Sequence, residues 1–553
     1  MAAPYRELLE KIRGAFPRPV SDPVHDAYFV FSILRALDQV DRMKGVNPFL
    51  GDAAHLDYEG ARSARIPVAP SAIEPVTEEL VKQLEGMQIF GHPSSQTNVV
   101  PPPSIPSIIG ALLPLIYNPN LVSDDSSQRV ALAETRVAAM VADLLGYDPQ
   151  VSRGVFTFGG TGTTLYGVRI GLEKALPGTR TDGYKGGAVI FASEHIHYCR
   201  LSVASWLGLG EEAVQSIPTT LENEIQIPLL EKAARGALKD GKRIAAFIAT
   251  MGTTDAFGVD DLAGIVALRD RLVEEFKLDY RPHVHADAVI GWAWSVFDDY
   301  NWEKNPLGFR PRTIRALSGV ERRVRSLKLA DSVGIDFHKT GFVPYVSSLF
   351  LLRDGADLRL IARPRETMPY LFQTGQYHPG MFTLETTRSG TGVMGALANL
   401  LLLGKDGYRA LLGHIVEIAE VLREHLEGHA ATVVLNDGNF GTVTLFRAYP
   451  DGVDTWTVKE RERTDPSYRD ELLKHNEYNL RLYDYLHEEA MAGRGVLIGV
   501  TRCYRHTDYG EPIVALKSFI LSPFADETHV ELLVHRLLEA REKIARPTTT
   551  REK

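Results

Sequence analysis

The sequence predicts an α/β protein: a mostly parallel sheet with helices on both faces. Between residues 154 and 287, short apolar runs alternate with longer amphipathic ones, the pattern of strands joined by crossover helices. In that stretch, clusters of Gly, Thr, His and Asp fall mostly just beyond an apolar run, where such sheets place their ligand crevices. Composition agrees. The chain has 553 residues, 44% apolar and 24% charged, as in ordinary globular proteins. At about 150 residues per domain the length fits about three to four domains, or one large fold.

Each element has a local reason. The first fifty residues read as helical and polar, and Ala53–Pro75 reads as a linker or arm. His92-Pro93 and Pro101–Pro103 require extended loop. An amphipathic helix follows with the stripe Val130, Ala133, Val137, Met140, Val141 and Leu144, starting at the Asp124–Ser127 cluster and stopping at Gly146. Then come a strand at Gly154–Phe158, a helix at Thr163–Ala175, a strand at Gly187–Ala192 and a helix at Pro228–Leu238. A strand at Ile244–Met251, a helix at Leu262–Phe276 and a strand at His283–Asp287 complete the series. The charged stretch Pro450–Lys474 reads as a solvated insertion. Phe519–Ala545 starts strand-like and ends helical, with a frayed tail from Arg546.

Several classes are disfavoured. With 61 basic and 70 acidic side chains the net charge is −9, which argues against nucleic acid held by a broad basic face. Cys199 and Cys503 are too few and too far apart for a disulfide framework, so both are expected reduced. The most apolar stretches, Ile105–Tyr117 (broken by prolines) and Met394–Leu403, are shorter than the roughly 18–20 residues of a membrane span. The N-terminal residues lack the apolar core of a signal peptide. A cytoplasmic protein with no membrane or nucleic-acid partner is expected.

The clusters at strand ends carry the chemistry. Phe158-Gly159-Gly160-Thr161-Gly162-Thr163-Thr164 lies between a strand and a helix. Its glycines, hydroxyls and free N–H groups make either a phosphate cradle or a plain βα turn, and without a P-loop Lys it disfavours nucleoside triphosphates. Asp287 ends a near-apolar strand; a buried carboxylate there either pairs with a pyridinium nitrogen or caps the next turn. In Asp336-Phe337-His338-Lys339-Thr340-Gly341 the Lys is a Schiff-base candidate or a surface side chain. Ser193–Tyr198 could present an imidazole over a planar ring, or hold a structural His. Thr250-Met251-Gly252-Thr253-Thr254 could turn hydroxyls into the same crevice, or use them for local turn hydrogen bonds. No metal-ligand spacing stands out.

In this order and placement the motifs resemble the fold-type-I enzymes that use pyridoxal phosphate, specifically the group II amino-acid decarboxylase family. The resemblance runs from about His92 to about Gly404. It is borne by Gly159–Thr161, His197, Thr250, His285–Ala288 and Asp336–Lys339. It implies a large domain with a mostly parallel, seven-stranded type of sheet and a smaller C-terminal α+β domain. The expected division is an arm at 1–105, a cofactor domain at 106–390, a small domain at 391–545 and a tail at 546–553.

By this resemblance Lys339 holds pyridoxal 5'-phosphate as an aldimine, and Asp287 pairs with its ring nitrogen. His197 stacks on one ring face and Ala288 packs on the other. Gly160, Thr161 and His338 bind the phosphate, and Thr250 lies near the phenolic oxygen or the imine. Tyr370 corresponds to the Tyr of the family's mobile loop, which protonates Cα. Arg388 corresponds to an Arg that binds the substrate carboxylate or a structural acid. Gln96–Val100, with Asn98, lines the substrate pocket, and Phe90, Trp292 and Trp294 are available for an aromatic substrate. The implied reaction is decarboxylation of an L-amino acid to its amine by a homodimer. The alternative is carbon–carbon cleavage of a phosphorylated amino alcohol or β-hydroxy amino acid, because the segment around Lys339 also resembles sphingosine-phosphate lyases. Three features depart from the family: Gly162 stands where many relatives have an acid, Cys199 where many have a small hydroxyl residue, and the Asp287–Lys339 stretch is long.

Overall fold

The structure is a computed structural model that describes residues 4–52, 55–369 and 374–545. Its strands are β1 (Ser95–Gln96), β2 (Arg153–Thr157), β3 (Ala188–Ser193), β4 (Val214–Ile217), β5 (Arg243–Thr250), β6 (His283–Asp287), β7 (Ser332–Asp336), β8 (Ser348–Leu352), β9 (Thr432–Val434), β10 (Val443–Ala448), β11 (Leu497–His506) and β12 (Pro512–Phe519). β2 through β8 form a seven-stranded sheet in the order β2-β8-β7-β6-β5-β3-β4. β8 runs antiparallel to both neighbours, and the remaining pairs are parallel. Every residue of β3, β6, β7 and β8 is buried, as expected of strands covered on both faces.

The second sheet, in the order β1-β11-β12-β10-β9, draws its first strand from residues 95–96, so the segment expected within the arm is stitched in parallel onto the C-terminal half. The long helix Thr391–Glu427, interrupted at Gly404 (φ 55°), packs between the two halves, which share one continuous apolar core.

Several expectations need correction. The helices are α1 (Pro4–Arg13), α2 (Pro23–Asp41), α3 (Tyr58–Arg62), α4 (Ile73–Lys82), α5 (Ile105–Tyr117), α6 (Asp124–Ser127), α7 (Arg129–Leu144) and α8 (Gly160–Ala175), followed by those of the later chain. The linker at Ala53–Pro75 thus contains α3 and the start of α4. α5 forms despite its prolines: Ser104 caps it, Pro106 falls in the first turn, and Pro114 is tolerated inside. α8 begins three residues earlier than expected, because Gly159 (φ 115°) lets the chain turn straight into the helix. The charged stretch Pro450–Lys474 is more than a solvated insertion. It includes the helix Val458–Thr464, whose Glu462 is 1% exposed and bonds to Tyr449 and His475. The tail from Arg546 lies outside the described residues. Among the described residues no helix is long and apolar enough to cross a membrane.

Candidate active site

The parallel strands β3, β5, β6 and β7 all deliver their carboxyl ends to one cavity of about 190 Å³. β2 leads to Gly159, whose φ of 115° presents the first turn of α8, with Gly160 and Thr161 lining the cavity. The free N–H groups there form an anion seat, strengthened by the helix dipole. β3 leads to His197 and Cys199, β5 to Thr250 and the Gly252–Thr254 turn, β6 to Asp287, and β7 to Asp336, His338 and Lys339. Lys339, Asp287, His197, Gly160, Thr161, Thr250 and His338 are therefore brought together although scattered over most of the sheet.

The electrostatics follow from burial. Asp287 is 5% exposed, and its Oδ1 has no hydrogen-bond partner. Burial raises its carboxyl to about 6, against the pull of Lys339 and the Val289 amide and with the repulsion of Asp336. Thr250 Oγ1 is likewise buried and unpartnered, while the Thr250 amide donates to Asp260 Oδ2 at 2.7 Å. Lys339 Nζ sits 3.1 Å from Asp336 Oδ2. Burial alone would weaken the ammonium, but Asp336 and Asp287 outweigh it and hold Lys339 above the ordinary lysine range. Burial shifts His197 and His338 toward their neutral forms, and His338 Nδ1 meets the backbone of Ser347. The Cys199 thiol, buried and near Asp287, is pushed up to about 12 and is inert as a nucleophile at neutral pH.

Among the described residues, Ala288, Arg388, Asn98, Trp292 and Trp294 do not line the cavity. Ala288 is fully buried, with its amide on Ala286 O and Gly334 O; the residue in the cavity wall is Val289. β6 ends at Asp287 and the chain turns there, the Ala288 amide bonding back to Ala286 O at 3.0 Å, so Val289 rather than Ala288 reaches the wall. Arg388 meets a structural acid rather than open space. It is 5% exposed, ion-paired with Glu134, and donates to Phe156 O and Leu121 O, each at 2.9 Å. Asn98 is not among the cavity-lining residues; its side chain accepts from the Val99 amide. Tyr370 lies outside the described residues. Trp292 and Trp294 are core residues, packed on Phe337 and Phe257, and do not face the cavity.

The sequence reading missed Tyr345 and gave Asp336 no role. Tyr345 lines the cavity with its ring 4.4 Å from that of His338. Its signal was the pair Gly341 and Pro344, which turns the chain back over Lys339 before β8. A larger cavity of about 510 Å³ lies between α2, α4 and the Gly14–Pro17 turn, but it is mainly apolar and contains none of these groups.

The donor set fits pyridoxal phosphate. A glycine-rich anion seat, a lysine amine and a buried carboxylate oxygen without a partner all face one cavity, the kinds of group that its phosphate, aldehyde and ring nitrogen would need. The description "Pyridoxal-dependent decarboxylase conserved domain" fits residues 62–448. The L-2,4-diaminobutyrate decarboxylase of Acinetobacter baumannii is 24% identical over 470 residues, 82% of this chain and 81% of the relative. The L-tyrosine decarboxylase of Enterococcus faecalis is 26% identical over 334 residues, 57% of this chain and 51% of the relative. Among solved structures, Oryza sativa TDC with PLP and tryptamine superposes with a TM-score of 0.76 at 14% identity, over 96% of this chain and 100% of the other. The glutamate decarboxylase domain of the Vibrio parahaemolyticus diaminobutyrate-pyruvate transaminase and L-2,4-diaminobutyrate decarboxylase gives 0.72 at 17% identity, over 98% and 100%. Those two likenesses speak for the shared fold, and the match over residues 62–448 for descent: this chain belongs to the pyridoxal-dependent decarboxylase family.

Proposed function

We propose that this chain removes the carboxylate of an L-amino acid as carbon dioxide and returns the amine, with Lys339 as the residue that carries the cofactor. The observation supporting it most is that Lys339 and an unpartnered, buried Asp287 oxygen line one cavity together with a glycine-rich anion seat. Bound pyridoxal phosphate supplies an electron sink for the pair left when the Cα–carboxylate bond breaks.

The chain's own groups do the rest. Gly160, Thr161 and His338 would hold the phosphate, and Val289 and His197 would flank the ring. Asp287 keeps a proton on the ring nitrogen, which preserves the positive charge that makes the sink effective. Burial favours this role, because a carboxylate with no protein donor on Oδ1 gains most from a charged N–H partner. Thr250 offers its free hydroxyl beside the ring. Tyr370 delivers the proton to Cα. Exclusion of water from the filled cavity would favour loss of the uncharged product and suppress stray protonation.

The proposed organisation is an arm at 1–105, a cofactor domain at 106–390 and a small domain at 391–545, working in the cytoplasm as a homodimer. Val30, Phe31, Leu34 and Leu37 of α2 and Ile108, Ile109 and Leu113 of α5 expose apolar side chains that a second copy would cover. Light scattering that returns a monomer mass would reject the dimer.

The test of activity is incubation with a panel of amino acids that includes L-2,4-diaminobutyrate, L-tyrosine and L-aspartate, with carbon dioxide and aldehyde assayed in parallel. Carbon dioxide with stoichiometric amine is expected. Aldehyde without carbon dioxide would replace this reading with carbon–carbon cleavage.

A further inference from the structure

Asp336 is a second acid at the centre of the site, and the reaction as described leaves it unused. It ends β7 and is 1% exposed. Its Oδ1 accepts from Ser348 Oγ at 2.5 Å, across the register pair that joins β7 to β8. That bond aims Oδ2 at Lys339 Nζ, 3.1 Å away, with His338 Nε2 at 3.5 Å. On its other side, a Cβ added to Gly160 would stand 3.0 Å from the same oxygen. One fixed carboxylate thus touches the reactive amine and borders the anion seat.

The other ionisable groups near Lys339 do not substitute for it. Asp287 reaches in from β6 with a free oxygen, His197 and Cys199 from the segment after β3, His338 from the end of β7, and Tyr345 from the turn before β8. Burial keeps both imidazoles toward neutrality and both the thiol and the phenol protonated. Of the two acids, only Asp336 makes a direct hydrogen bond to the amine.

We propose that Asp336 is a positioning residue that stores Lys339 as an ammonium whenever its amine is not covalently engaged, and thereby sets the pH at which this chain takes up its cofactor. The inference rests on the reading of Lys339 as the cofactor-bearing residue. Linkage requires a neutral amine. The ammonium first gives up a proton, Nζ then bonds to the aldehyde carbon, and the aldehyde oxygen departs as water. A carboxylate 3.1 Å from Nζ opposes the first of these events. Its charge beside the anion seat also opposes entry of a phosphate, so both effects make uptake harder at neutral pH. During turnover the same contact would withdraw the freed amine from the substrate nitrogen.

The test uses the full chain stripped of cofactor. Lys339 is titrated by competitive acetylation with peptide mass mapping, and uptake of pyridoxal and of pyridoxal phosphate is followed by visible absorbance. In Asp336→Asn the acetylation midpoint of Lys339 is expected to fall by about one pH unit or more, with about tenfold faster uptake of pyridoxal at neutral pH. Pyridoxal lacks the phosphate, so its acceleration isolates the action through Lys339. An unmoved midpoint, or acceleration confined to pyridoxal phosphate, would overturn the proposal. If Asp336→Asn does not fold by circular dichroism, Ser348→Ala removes the bond that aims the carboxylate and should lower the midpoint as well; no change there overturns it equally. Borohydride labelling at a residue other than Lys339 would instead refute the underlying functional reading, so the two failures are distinguishable.

Discussion

Replacing Arg388 with Ala separates a structural role from a substrate role. Its guanidinium pairs with Glu134, whose side chain is fully buried, and also donates to the carbonyls of Phe156 and Leu121. After truncation Glu134 keeps only the Phe156 amide at 2.8 Å and the Tyr377 hydroxyl at 3.3 Å. An uncompensated buried carboxylate costs about 3–5 kcal/mol. Two backbone acceptors also lose their donors, so the upper part of that range is expected. Urea unfolding at neutral pH should show the loss as a lower midpoint with an unchanged slope. At low denaturant, the KM of the surviving folded fraction should stay within about twofold of wild type, because the side chain does not line the cavity. An unchanged midpoint with a KM raised about tenfold or more would refute this reasoning and return Arg388 to the substrate carboxylate.

Two further outcomes follow from the same geometry. Val289→Ala removes two methyl groups from the cavity wall and should weaken cofactor affinity about fivefold, at about 1 kcal/mol. Ala288→Gly should leave that affinity unchanged in the same absorbance titration; the opposite pattern would reinstate Ala288 as the wall. Asp287 gives a pH signature in the cofactor-free protein. Its carboxyl is raised from 3.8 to about 6 by burial, so the native state binds its proton more tightly than the unfolded chain. The corresponding stability is present below the unfolded value and is lost as pH rises through about 6, a change of about 3 kcal/mol. Asp260, raised to about 7 by burial, adds a loss of the same sign and persists in both proteins. Urea titrations from acid to neutral pH should therefore fall less steeply for Asp287→Asn than for wild type, and parallel curves would contradict the assignment.

The sheet was legible in part, where an apolar run alternated with an amphipathic helix. β7 and β8 are buried throughout yet went unread: Ser332, Gly334 and Asp336 break the apolar run of β7, and one as short as β8 cannot be told from a buried helix turn. β6 (His283–Asp287) and the helix Leu262–Phe276 match their expected bounds residue for residue. β4 was not legible, because an edge strand with two of its four residues outside the core carries no such run. The site was legible through its motifs, because glycine turns and strand-end polar residues are local in sequence. What escaped depended on contacts distant in sequence. Arg388 could serve a substrate carboxylate or a structural acid until Glu134, from α7, is placed beside it. Asp336 was visible inside the Asp-Phe-His-Lys run, but its importance appears only when Ser348 turns its carboxylate onto Lys339. Ala288 was misplaced by one residue, because the turn that follows β6 buries it and brings Val289 to the wall instead. Glu462 was mistaken for a solvated acid because its partners Arg447, Tyr449 and His475 come from elements on either side of it.

The most direct test of the account is to reduce the purified, cofactor-loaded protein with borohydride and map the modified peptide. The visible band should vanish and one pyridoxyl phosphate should be found on Lys339, while Lys339→Ala should fold, remain colourless and release no carbon dioxide from any amino acid. Cofactor fixed on another lysine, or a coloured and active Lys339→Ala protein, would contradict it.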